Sequence, residues 1–311
     1  MSDTVATAVR LGLYLDLMLL FGLPLFGLYT LRGTERAASS VLPFRPVLFT
    51  TAIAGIALSA FAMVVLAASM AGVGLGEVDR ATIAAVASGT SIGTAWQVRL
   101  AALLASAVCA VACWRHPGIA LRVLAILGAI ALGTLAWTGH GAADEGVAGW
   151  VHLGADILHL WAAGVWLGAL AALAILLFAP AARQTPDLIN VSHRALHGFA
   201  KMGSVAVAVL IASGLVNSWM LVGPANLGAL FTTLYGQLLV VKLLIFALML
   251  LLAGANRFFL TPALASGLAA GDTVPALRAL RRSLASESVC GLVVLGLVAW
   301  LGLLAPPASG M

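Results

Sequence analysis

Residues 150–168 read WVHLGADILHLWAAGVWLG, and the apolar run continues to Phe178. A spanning helix needs roughly 20 mainly apolar residues, so this stretch reads as a transmembrane helix that carries His152, Asp156 and His159 at membrane depth. At about 100° per residue the three positions fall within about 60° of one another and form one polar stripe. Ala163 and Trp166 continue that face, while Gly164 and Gly168 form a ridge of small residues suited to close helix packing elsewhere on the span. Ionisable groups in hydrocarbon are costly, and they usually mark pathways, relays or ligand sites.

The rest of the chain has the same character. It is 62% hydrophobic and 9% charged over 311 residues, with mean hydropathy +1.10, outside the range of soluble globular domains. Apolar stretches between polar breaks predict eight spans, near 8–31, 47–70, 95–114, 119–138, 151–178, 199–221, 236–256 and 285–305. The fold expected is an all-α, polytopic membrane helix bundle.

A formal charge of +5 would suggest nucleic acid in a soluble protein. Here the basic residues sit in short loops, so lipid is the expected partner and nucleic acid is not. Arg32, Arg36, Arg45, Arg115, Arg122, Arg183, Arg194, Lys201, Arg257, Arg278, Arg281 and Arg282 fall in odd-numbered loops, and only Arg80 in an even one. The positive-inside rule puts odd loops in the cytoplasm and both termini in the periplasm. Trp96, Trp137, Trp150, Trp219 and Trp300 then fall at outer helix ends, as an interfacial aromatic belt does. The first apolar stretch is longer than a signal-peptide core and contains Asp16, so it is expected to be a retained span.

Short matches suggest a parallel duplication of four spans, with halves at residues 1–145 and 146–311. Gly93 precedes Arg99-Leu100 by six residues, as Gly236 precedes Lys242-Leu243, and Asp16 parallels Asp156. Ala136-Trp137-Thr138-Gly139 parallels Ala299-Trp300-Leu301-Gly302.

His152 and His159 are about 10 Å apart along the helix axis, too far to share one ion. His152 with Asp156, or Asp156 with His159, makes a two-ligand half-site that needs one or two further ligands. His140 in the fourth loop is the first candidate, with Asp144 and Glu145 nearby. Imidazole and carboxylate suit Cu(II), Zn, Ni or Fe. A purely structural reading competes: Lys242 neutralises Asp156, and Arg99 neutralises Asp16.

On the inner side, Cys109 and Cys113 are one turn apart and Cys290 opens the eighth span. With His193, His197 and Met202 they could line an inner path for a soft ion, although cysteine is also a common core residue. Glu287 is expected to pair with Arg257, structurally or as an inner gate.

The ordered set His152-x3-Asp156-x2-His159, Gly164-Val165-Trp166-Leu167-Gly168, Phe199, Ser213-Gly214-Leu215-Val216-Asn217, Tyr235-Gly236-Gln237-Leu238-Leu239-x2-Lys242, Asn256-Arg257 and Arg282-Ser283-Leu284 before Glu287 resembles the CopD/PcoD copper-resistance membrane proteins. The resemblance implies a bacterial inner-membrane protein of copper homeostasis. It would move copper, as Cu(I) or Cu(II), from periplasm towards cytoplasm or supply periplasmic copper enzymes, alongside a CopC-type periplasmic copper carrier. One departure is His197-Gly198-Phe199-Ala200, where the family often has Arg-Phe-Ser; Arg194 is the available substitute.

Two alternatives stand beside a copper permease. One is a membrane electron-transfer protein with b-type haem, held by His140 or His152 outside and His197 with His116 inside. The other is a non-transporting membrane partner of a periplasmic carrier, received on residues 71–94 and the fourth loop. No nucleophile–base set or phosphate loop stands in the sequence, so no enzyme is expected.

Overall fold

The computed structural model describes residues 2–139 and 146–310, and its described residues are helices joined by short turns, without strands. Eight helical rods are long and apolar enough to cross a membrane. In chain order they are α1 (Ser2–Thr30), α2 (Phe44–Ala71), α4 (Ser91–Ala112), α5 (Pro117–Gly133, prolonged by a 3-10 turn at Thr134–Thr138), α6 (Gly146–Leu177), α7 (Pro186–Leu221), α9 (Leu234–Ala255) and α11 (Val274–Leu301). Short helices α3 (Arg80–Gly89) and α8 (Ala229–Thr232) precede α4 and α9, and α10 (Thr261–Ala270) follows α9 through a π-helical turn at Asn256–Leu260.

Several helices overrun their apolar spans. α7 begins at Pro186 rather than near 199, and α11 at Val274 rather than near 285. Apolar length measures the membrane crossing, but backbone hydrogen bonding continues into the polar residues beyond it until a cap stops it. Thr185 provides that cap for α7, its hydroxyl accepting from the Leu188 N–H at 3.3 Å.

The bundle is assembled around α1, the most enclosed of the eight rods. It packs against α2, α5 and α6, while α6 also packs on α7 and α11. Glycines set the spacing. A Cβ on Gly22 would lie 2.7 Å from the Gly168 Cα and inside the van der Waals shell of the Gly164 carbonyl. From α5, a Cβ on Gly128 would lie 2.8 Å from the Phe21 Cα of α1. Leu104, Val108, Ile126, Leu215, Leu244 and Leu251 point outward and exposed. That surface suits lipid, where water would make it an aggregation hazard.

Polar clamps close the two ends. Near one end Arg10 donates to the carbonyls of Thr138 (3.3 Å) and Gly302 (3.1 Å), tying α1 to the ends of α5 and α11. At the other, Glu35 pairs with Arg194 at 2.5 Å, and Arg183 donates to the Ser40 carbonyl at 2.6 Å. Burial works to raise the Glu35 carboxyl, but the Arg32 backbone N–H and the Arg194 guanidinium outweigh it and hold the group below its ordinary 4.5. Its contribution, about 0–1 kcal/mol for so exposed a pair, is present above that value and is lost as pH falls through the lower folded one.

Gly168→Ala should therefore destabilise the protein by about 1–3 kcal/mol through overpacking against backbone. Gly154→Ala, whose Cβ meets nothing within 4 Å, should be neutral or stabilising by up to about 1 kcal/mol through helix propensity. Thermal unfolding midpoints of the two variants in one detergent check this, and equal midpoints would remove the close crossing as a determinant.

Candidate metal site

A cavity of about 500 Å³ opens between α6, α7, α9 and α11, with α1 closing one side. Asp156 and His159, three residues apart on α6, both stand on its wall. Each is held from α7: the Asn217 Nδ2 donates to Asp156 Oδ1 at 2.6 Å, and His159 Nδ1 lies 2.9 Å from Ser213 Oγ. The Ser213 hydroxyl donates its own proton to the Val209 carbonyl at 2.6 Å. Its oxygen is thus left to accept, which puts the imidazole proton on Nδ1 and leaves Nε2 as the lone-pair nitrogen. A histidine that binds metal through Nε2 needs that tautomer.

α9 adds Tyr235 and Lys242 to the same wall, and α1 adds Arg10, Tyr14 and Met18. Lys242 faces Asp156 with the opposite charge. Met18 and Met249 place two thioethers on the wall; the sequence gives no signal for them, because methionine is ordinary core filling.

His152 is buried but not on the cavity wall. It stands one turn before Asp156 on α6, so the stripe of three becomes a pair in the cavity and one buried histidine off its wall. His140, Asp144 and Glu145 lie outside the described residues. Among the described residues no three His, Cys, Asp or Glu side chains come together as a metal cluster.

A second cavity of about 360 Å³ lies further along α6, and Trp166 and Leu250 line both cavities. Trp166 packs between Phe199 and Phe246, with ring centroids 6.3 and 6.5 Å away. Its Nε1 donates to Glu287 Oε1 at 2.8 Å, and Asn256 Nδ2 donates to Glu287 Oε2 at 3.0 Å. The expected Glu287–Arg257 pair is not formed. The π turn at Asn256–Leu260 shifts the register, so that Asn256 meets Glu287 while Arg257 turns to Ser204 Oγ (2.6 Å) and the Ala200 carbonyl (3.3 Å).

The remaining sequence candidates stand apart from both cavities. Cys109 is buried with its Sγ 3.9 Å from the Ala120 carbonyl of α5, Cys113 is exposed, and Cys290 packs into the core. Met202, His193 and His197 are also absent from the two walls. Asp16 and Arg99 are buried but form no ion pair. Gly55 of α2 lies against Asp16 Oδ2 and also against Leu103, one turn beyond Arg99 on α4. Of the described histidines only His159 stands on the wall of either of these two cavities, so neither wall presents the opposed pair that haem ligation needs. Sequence reasoning gave Asn217, Ser213 and Asn256 no role. The available signal was an amide in hydrocarbon, which needs a partner.

The chain matches two family models: copper resistance protein D-like, N-terminal domain, over residues 1–150, and copper resistance protein D over residues 193–301. It is 47% identical to "Copper resistance protein D" of Pseudomonas syringae pv. tomato over 98% of each chain. It is 39% identical to "Copper transport protein CutJ" of Bacillus subtilis (strain 168) over 40% of this chain and 22% of that one. "Inner membrane protein YebZ" of Escherichia coli (strain K12) is 33% identical over 41% of this chain and 42% of its own. No solved structure matches the chain.

Asn217→Leu leaves the Asp156 carboxylate without its α7 donor and should cost about 1–3 kcal/mol. In an Asp156→Leu background, where the acceptor is already gone, the same Asn217→Leu change should cost markedly less. Thermal unfolding of wild type, both single variants and the double variant measures the coupling, and an Asn217→Leu cost equal in the two backgrounds would contradict the pairing.

Proposed function

The chain belongs to the copper resistance protein D family, and from that premise we propose that it carries copper across the bacterial inner membrane, from periplasm towards cytoplasm, accepting the ion at Asp156 and His159. The observation that carries this reading is the Ser213 hydroxyl, which holds His159 in the tautomer with a free Nε2 in the cavity that also presents Asp156. An imidazole nitrogen and a carboxylate oxygen fit Cu(II), and the thioethers of Met18 and Met249 on the same wall fit Cu(I). The donor set therefore accommodates either oxidation state.

Two side chains do not complete a coordination sphere. Gly139 lies on the wall and His140 follows it in the chain, which makes His140 the natural third ligand. The excess of Lys and Arg in the odd-numbered loops supports a periplasmic position for this cavity, where a CopC-type carrier would deliver the ion. Lys242 stands opposite Asp156 and is attracted by its carboxylate, so an incoming cation competes with a tethered ammonium and is held less tightly. A transport site needs that, since its cargo must also leave. Onward movement requires displacement of the Trp166 side chain, which together with Leu250 separates the two cavities.

Asp156→Asn and His159→Gln should each weaken copper binding by about 10- to 100-fold, and the double variant should reduce uptake into proteoliposomes to that of empty vesicles. Uptake equal to wild type in the double variant overturns the assignment. Tight copper binding without any flux by the reconstituted wild type would favour the docking-partner alternative.

A further inference from the structure

Beyond the Trp166–Leu250 septum lies a carboxylate that the copper reading does not use. Glu287 on α11 is 2% exposed, and each of its oxygens accepts one hydrogen bond, from Trp166 Nε1 and from Asn256 Nδ2. Acceptance at both oxygens from two neutral N–H donors suits an ionised carboxylate. Among the described residues no lysine, arginine or histidine forms an ion pair with it. A buried charge that is hydrogen-bonded but has no counter-charge is costly.

A second observation points the same way. Asn256 gives its N–H to Glu287, and its Oδ1 is buried without a donor. Ser283, one turn before Glu287 on α11, likewise has a buried Oγ without a partner. The π turn that begins at Asn256 brings the amide to the carboxylate, and such turns concentrate at functional sites. The second cavity, about 360 Å³, reaches both Glu287 and Asn256.

We propose that Glu287 and Asn256 form the binding station for a small hard cation, a proton or Na⁺, separate from the copper site. The donors there are oxygens, which suit a hard ion and lack the nitrogen and sulfur that copper prefers. The charged side chains on this wall are Glu287 of α11 and Arg257 of the π turn. α6 contributes Trp166, Leu170, Leu173 and Leu177, α7 contributes Ser204 among apolar residues, and α10 contributes Thr261. Arg257 is engaged by Ser204 and the Ala200 carbonyl. Glu287 is thus left as the one anion that a cation entering this cavity meets.

The test uses the copper-free, full-length protein in detergent. Its thermal unfolding midpoint is followed as NaCl replaces choline chloride at constant ionic strength, and separately from pH 8 to pH 6. A rise of several degrees with Na⁺ that disappears in Glu287→Gln supports a sodium station. A rise on acidification, without a sodium response, that disappears in Glu287→Gln supports a proton station. In the sodium case Asn256→Ala, which keeps the carboxylate but removes the Oδ1 ligand, should move the half-maximal response to about tenfold higher Na⁺. In the proton case it removes the N–H donor that favours the ionised carboxylate, so the half-maximal response should move to higher pH. Either shift covers a Glu287→Gln protein that folds poorly. Wild type indifferent to both ions, or responses equal in wild type and both variants, overturns the proposal. A Glu287-dependent response to Cu(I) alone also overturns it. Copper content of purified Glu287→Gln should match wild type, because Asp156 and His159 lie across the septum, so loss of the copper reading and loss of this one are separately visible.

Discussion

The close crossing of α1 and α6 at Gly22, Gly164 and Gly168 is the constraint on which the rest of the bundle depends. Lipid offers no hydrophobic force to press two helices together, so their approach is set by how closely the backbones can pack. With backbone against backbone here, one side of α6 is committed to α1. Its remaining surface faces α7 and α11, where Asp156 and His159 line the larger cavity and Trp166 packs at the boundary between the two cavities. The glycines that read as a packing ridge thereby decide where the polar side chains can open a cavity.

The two halves of the chain apply the same local build to different ends. α4 and α9 both begin with a threonine whose hydroxyl caps the glycine three residues on, Thr90 with Gly93 at 2.9 Å and Thr233 with Gly236 at 3.1 Å. Both glycines sit against the backbone of the short helix before them, and both helices carry a cation six residues later, Arg99 or Lys242. The surroundings then diverge. In the first half Gly55 and Leu103 fill the space beside Asp16, whereas in the second Asn217 reaches Asp156 across an open cavity. A duplicated unit with one site closed and the other open is a reading that these parallels favour.

Hydropathy made the eight crossings legible because hydrocarbon demands apolar length and continuous backbone hydrogen bonding. The 3.6-residue period made Asp156 and His159 legible as one face. Three things were not. The π turn inserts a register shift without a composition signal, so Arg257 was the natural partner for Glu287 until geometry gave that place to Asn256. The helical period gives a direction around the axis but not the depth at which a cavity ends, which is why His152 shares the face of Asp156 and not its cavity. Cys109 and Cys113 meet one turn apart at the end of α4 as their spacing implies, but Cys109 packs against α5, Cys113 is exposed, and neither stands on the wall of either cavity.

Trp166 connects the two proposed stations. Phenylalanine there could separate the cavities but would leave a Glu287 oxygen without a donor, while a smaller polar residue could donate but would not close the septum. The indole does both, an apolar body between Phe199 and Phe246 and a single N–H on the carboxylate. A cation at Glu287 reduces the negative charge that this N–H holds, and so weakens the bond anchoring the septum. In the proposed reading, binding on the inner side and opening towards the outer side are then linked through one hydrogen bond, and the link needs no movement of the α1–α6 crossing that holds α6 in place.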